Sequence, residues 1–183
     1  IMLGKNLRKL PKIELHLHLD CCLSFDVVKK INPKIDIEAY NKKFKAPSTC
    51  SSVKEYIKCA EYAVDLMQDE KSISLVVEDL FDQLKAENII YVEIRFAPLL
   101  HCKGELSSKE VVQIVDDICK KCSKKYGIHY ALILCTLRHF SKNQSMETVQ
   151  LVEEFKNSGV FALDIAADEA GFSLDNHLSL IHI

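Results

Sequence analysis

The residues best suited to chemistry stand in one short run, His16-Leu-His-Leu-Asp20. In a strand, side chains at i and i+2 point the same way, so the imidazoles at 16 and 18 face one side and can reach a single cation. A carboxylate two residues further on, Asp20, offers either a charge-assisted acceptor for a ligand hydroxyl or a cap for the turn that ends the strand. The bare His-x-His spacing is equally compatible with two hydrogen-bonded core histidines, because so short a motif recurs by chance. Its place at the carboxyl end of a strand favours the metal, since sites of α/β proteins gather there.

Other ionisable groups divide by position. Glu93 and Arg95 share a strand face and are expected to pair with each other inside the fold. Arg138 and His139 follow a strand end, where they either touch a ligand or brace loops. Asp168 and Glu169 stand at another strand end, with Asp168 read as a supporting group. His101, His129 and His177 belong to no motif and read as core or solvated residues. Cys119 and Cys122 form a CxxC without a second Cys or His pair at zinc spacing. They continue the apolar stripe Val111, Val115, Ile118, which points to packing.

The elements that position these groups alternate in period. Four strands are predicted: Ile13 to Leu19; Asn88 to Pro98, with Ile90, Val92, Ile94 and Phe96 on one face and Tyr91, Glu93 and Arg95 on the other; Ile128 to Thr136; and Val160 to Ala166. Helical stripes lie between them. Val53, Ile57, Ala60, Val64 and Met67 form one, and Ile73, Val77, Leu80 and Leu84 a second. Ser107/Ser108 with Glu110 open a third by a capping box, and Met146, Val149, Val152 and Phe155 mark the last. The polar stretch Pro33 to Ser52 is read as part of a helical excursion after the first strand. This order implies parallel strands joined by right-handed crossovers, with the helices outside the sheet.

Composition narrows the partners. The 183 residues carry 24 basic and 26 acidic side chains, a net charge of −2 with mixed signs, so no basic face for nucleic acid or anionic membrane is expected. No apolar run approaches the ~20 residues of a membrane span, and no export signal is evident, so the protein is expected in the cytoplasm with its eight cysteines reduced.

Four motifs together carry a stronger statement. Leu10-Pro-Lys-Ile-Glu-Leu-His-Leu-His-Leu-Asp20, Tyr91-Val-Glu-Ile-Arg-Phe-Ala-Pro98, Leu137-Arg-His139 and Ala162-Leu-Asp-Ile-Ala-Ala-Asp-Glu169 occur in the order found in the adenosine deaminase family, which the chain resembles from about Leu7 to about Phe172. The resemblance implies a TIM (β/α)₈ barrel, here truncated to about strands one to four, and hydrolytic deamination of adenosine to inosine and ammonia. It implies one Zn²⁺ per complete site, with His16 and His18 as two ligands. Substrate contacts fall on His18, on Asp20 at a ribose hydroxyl, and on Ala167 through its main chain at the purine. The family's third metal histidine and its acid glutamate come from a His-Ala-Gly-Glu segment on strand five, so no catalytic residue is expected within this chain, which alone is expected to be inactive. His182 imitates that segment, but 13 residues after Glu169 leave no room for a crossover helix and a strand. Deamination of adenine or a nucleotide, and a barrel without the chemistry, are the alternative readings.

The sequence departs from the family at Asp20-Cys21-Cys22, where Asp-Gly-Ser is usual, and at Ala167, where the motif has glycine. Glycine at such places implies a positive φ or a close approach. Ile before Met at the start and the uncapped apolar run 178–183 at the end lead to the expectation that residues 1–183 are the amino-terminal part of one barrel domain, with 178–183 a non-native tail.

Overall fold

A computed structural model describes residues 9–50 and 52–181. Four strands, β1 (Lys12–His18), β2 (Ile89–Phe96), β3 (His129–Leu137) and β4 (Val160–Ala166), form one parallel sheet in the order β1-β2-β3-β4. The helices are α1 (Phe25–Ile31), α2 (Ile37–Lys43), α3 (Val53–Leu66), α4 (Glu70–Ala86), α5 (Ser108–Tyr126), α6 (Lys142–Glu154) and α7 (Leu178–Ile181). The polar stretch after β1 supplies α2, as expected, and the residue His182 of the rejected ligand lies outside the described residues.

Local sequence explains where the helices begin. Ser24, Asp36, Asp69, Ser107 and Ser141 each accept a hydrogen bond from a first-turn N–H, satisfying donors that a helix start would otherwise leave open. Ser107 with Glu110 and Ser141 with Gln144 close reciprocal capping boxes. Gly127 ends α5 at φ 69°, a left-handed conformation that costs glycine nothing.

The two faces of the sheet differ in kind. Val92, Ile94 and Phe96 of β2 and Leu132 and Leu134 of β3 are buried in a core shared with Ile73, Val77, Phe81, Val111, Val115, Cys119 and Cys122 from α4 and α5. The Cys119-Cys122 pair is therefore packing, and none of the eight cysteines is in a disulfide. Register places Glu93 beside Ala131, Arg95 beside Ile133 and Cys135 beside Asp164 on the opposite face, which carries polar groups. Ile90, expected on the same face as Val92, Ile94 and Phe96, stands 47% exposed, next to the irregularity where the pairing of β1 with β2 slips one residue between Lys12 and Ile13.

At their outer flanks the two edge strands leave apolar side chains uncovered: Ile13 and Leu15 on β1, Phe161 and Leu163 on β4. No helix of the described residues is long and apolar enough to cross a membrane.

Candidate functional site

At the carboxyl ends of the strands lies a cavity of about 510 Å³. His18 and Asp20 from the end of β1, Arg95 and Ala97 from β2, Leu137 and His139 from β3, and Ala166 and Ala167 from β4 face it, with Ile57, Ala60 and Val64 of α3 as an apolar wall. A pocket with an apolar wall and a few convergent polar groups is the usual form of a small-molecule site.

The two histidines do converge, by a route that simple alternation does not describe. Between Glu14 and Leu17 the register of β1 against β2 shifts by one residue, and His16 takes φ 79°. Such a bulge re-aims a side chain, and here the two imidazole centroids come to 5.1 Å. A positive φ at a residue with a Cβ is strained backbone, of the kind that collects at functional sites. His16 remains half exposed, its Nε2 4.0 Å from Asp164 Oδ2, whereas His18 is more enclosed.

Burial, then the charge of Arg95, then His16 push the His18 imidazole down to about 4. It is therefore neutral near pH 7, the form in which imidazole binds metal. Asp20 is buried, with Oδ1 lacking any hydrogen-bond partner among the described residues. Burial raises its carboxyl above the ordinary range, against the opposing charges of Arg95 and His101. An unsatisfied buried acceptor costs about 1–3 kcal/mol, so it marks a place where a donor is missing. His18, Asp20 and Cys21 offer ligand atoms within 4.8 Å of one another. The imidazoles of His16 and His18, with centroids 5.1 Å apart, suit a zinc ion as part of a ligand set, although His16 stands outside that group of ligand atoms.

Arg95 is the centre that the sequence did not reveal. Instead of pairing with Glu93, its Nε donates to Asp164 Oδ2 at 3.0 Å, Nη1 lies 3.1 Å from His18 Nδ1 and Nη2 lies 2.5 Å from Cys135 Sγ. One guanidinium thus joins all four strands. Glu93 instead accepts from the Tyr91 hydroxyl at 3.0 Å. Register explains the correction: the inner face of a parallel sheet is shared by successive strands, so a long side chain finds partners across strands 40 to 77 residues away in sequence.

The remaining candidates separate cleanly. Arg138 braces the segment after β4, donating to the Phe172 carbonyl at 3.3 Å and to Glu169 at 3.1 Å, while His139 lines the cavity and leans on Phe140 and Phe172. Asp168 accepts from the N–H groups of Ala170 and Gly171, closing a turn. His101 is buried against the Met67 carbonyl at 3.0 Å, and His177 bridges Ser145 and the Arg138 carbonyl at 3.0 Å each, so both are core residues. His129 is exposed. Of the two departures from glycine, Cys21 sits in a single 3₁₀ turn without a positive φ, whereas Ala167 takes φ 99°.

Four parallel strands in sequential order, with helices outside and a cleft at their carboxyl ends, have the form of half of a (β/α)₈ barrel. Solved structures agree in fold: an adenine deaminase from Arthrobacter aurescens (TM-score 0.79, 17% identity, 94% of this chain and 53% of that one), Arabidopsis ADAL in complex with IMP (0.82, 20%, 97% and 56%), and a zinc-bound amidohydrolase from Burkholderia ambifaria (0.77, 15%, 95% and 48%). The adenosine deaminase family model matches residues 11–181, and the adenosine deaminase of Clostridium acetobutylicum is 35% identical over 175 residues, 92% of this chain. The chain belongs to the adenosine deaminase family. It spans about half the length of the curated relatives it matches, 52% in the case of the Clostridium protein.

Proposed function

We propose that the chain is the amino-terminal half of a zinc-dependent deaminase that converts adenosine, or its deoxy form, to inosine and ammonia. The carrying observation is Asp20: a buried carboxylate whose Oδ1 has no partner opens on the cavity that His18 and Ala167 also line. An acceptor of that kind suits a neutral sugar hydroxyl and repels a phosphate, which favours a nucleoside over a nucleotide.

Zinc, when bound, would supply a nucleophilic hydroxide at neutral pH. His16 and His18 would hold it, and burial keeps the His18 imidazole neutral down to mildly acidic pH. Asp20 would fix the sugar, while Ala167 would present its backbone to the purine at the end of β4. The apolar wall of Ile57, Ala60 and Val64 would exclude water from the ring. Protonation of the purine nitrogen needs an acid that the family carries on its fifth strand, so the chain alone is inactive.

The test is complementation. The 183-residue chain with zinc should form no inosine from adenosine. Mixed with a separately expressed strand-five-to-eight half of the Clostridium acetobutylicum relative, it should form inosine, and His16→Ala should abolish this. Turnover by the chain alone above its own His16→Ala control would overturn the reading, as would a folded, associated mixture that leaves adenosine intact while deaminating adenine or AMP.

A further inference from the structure

The bond between Arg95 and His18 has a chemical consequence. Arginine has five N–H donors and no acceptor, so wherever its Nη1 meets His18 Nδ1 at 3.1 Å, that nitrogen must present its lone pair. In a neutral imidazole the single proton then sits on Nε2. A ring in that tautomer has no lone pair on Nε2 to give to a metal, and its only lone pair is already taken. A ring that ligates through Nε2 carries its proton on Nδ1 and must donate it, normally to a carboxylate or carbonyl oxygen. On the Nδ1 side of His18 such an acceptor is present: Asp20 Oδ1, 4.0 Å away, buried and without a partner.

We propose that Arg95 is a positioning residue that holds His18 in its non-ligating tautomer when the site is metal-free, and that metal binding at Nε2 exchanges this bond for one from His18 Nδ1–H to Asp20. The proton stays on the ring, moving from Nε2 to Nδ1 through solvent, and the guanidinium keeps its partner Asp164 at 3.0 Å. Arg95 therefore opposes the metal, and Asp20 both supports the ligand and remains, through its second lone pair, an acceptor for substrate. The proposal rests on the metal reading of His16 and His18 given above.

Two measurements on the 183-residue chain test it. Nitrogen NMR of the imidazoles at neutral pH, without metal, should show His18 protonated at Nε2, and added zinc should move the proton to Nδ1. A competition titration should then show Arg95→Met binding zinc about tenfold more tightly than the unaltered chain, the worth of one charge-assisted hydrogen bond released. Arg95→Lys, which keeps a donor, should fall between them. A metal-free His18 protonated at Nδ1 overturns the proposal whether or not Arg95→Met folds, as does equal or weaker zinc binding by a folded Arg95→Met. If neither the unaltered chain nor Arg95→Met binds zinc, the metal reading fails and the proposal with it; equal binding by both removes the proposal alone.

Discussion

The two ends of the sheet are built to opposite rules. At the amino end, Asp116 of α5 is wholly buried, yet it accepts from the Tyr130 hydroxyl at 2.7 Å and the Gly159 N–H at 3.0 Å, and Lys120 sits 2.5 Å from its other oxygen. One carboxylate there locks a helix to the starts of β3 and β4, and its charge is compensated. At the carboxyl end, Asp20 is nearly as buried, and where Asp116 Oδ2, itself outside hydrogen-bond geometry, has the Lys120 ammonium at 2.5 Å, Asp20 Oδ1 has His18 Nδ1 at 4.0 Å; His16 and Ala167 hold positive φ. The contrast is the ordinary division of labour in this fold, with stability at one rim and chemistry at the other. Strain and unmet hydrogen bonds collect where a ligand would relieve them.

Changes at the two rims should therefore move stability in opposite directions. The largest effect is expected from Asp116→Ala, which strands the Tyr130 hydroxyl and the Gly159 N–H and should cost about 3 kcal/mol, read as a lowered urea midpoint. Gly159→Ala should act likewise, because an added Cβ would meet Asp116 Oδ1 and Tyr130 Cε2, each at 2.5 Å. Next, Ala167→Gly should raise stability by about 1 kcal/mol, since glycine adopts φ 99° without the penalty alanine bears. A loss on that substitution would show that the backbone there is not strained. Asp20→Asn should also stabilise, by up to about 1 kcal/mol at neutral pH, because the cost of burying the Asp20 charge outweighs the opposing charge of Arg95.

The least of these effects is a pH dependence. His18 titrates at about 4 in the folded chain against an ordinary value of 6.5, so between those values the unfolded chain binds more protons. Stability contributed by neutral His18 is full above that window and is lost as pH falls through it. The raised Asp20 carboxyl has the reverse sign, with stability present while it is protonated and lost as pH rises. Because the two contributions oppose each other, the His18 part is read as a difference: the urea midpoint of His18→Gln relative to the unaltered chain should rise as pH falls from 7 to 4.

These rims were unequally legible in the sequence. Periodicity and caps gave the four strands and the long helices, because Val92, Ile94 and Phe96 alternate cleanly and Ser107 with Glu110 marks a helix start. His16, His18 and Asp20 were visible as a motif. What could not be read was anything set by register between distant strands. Arg95 finds Asp164 across 69 residues rather than Glu93 two residues away, and the β1 bulge that turns His16 is a property of pairing with β2. Ala167 was legible as a departure from glycine, and its φ of 99° gives that departure a physical cost. The brace of Asp116 lay unseen in the helical stripe of α5, since an aspartate in a helix ordinarily faces water.

The central claim, that the carboxyl rim carries half of a zinc site, is tested most directly by X-ray absorption at the zinc edge on the zinc-loaded chain. Two imidazole nitrogens in the coordination sphere, with water or other oxygen completing it, are predicted, and both His16→Ala and His18→Ala should remove the bound zinc. A sphere containing thiolate sulfur, from Cys21 or from Cys119 and Cys122, or zinc that survives either substitution, would contradict the account.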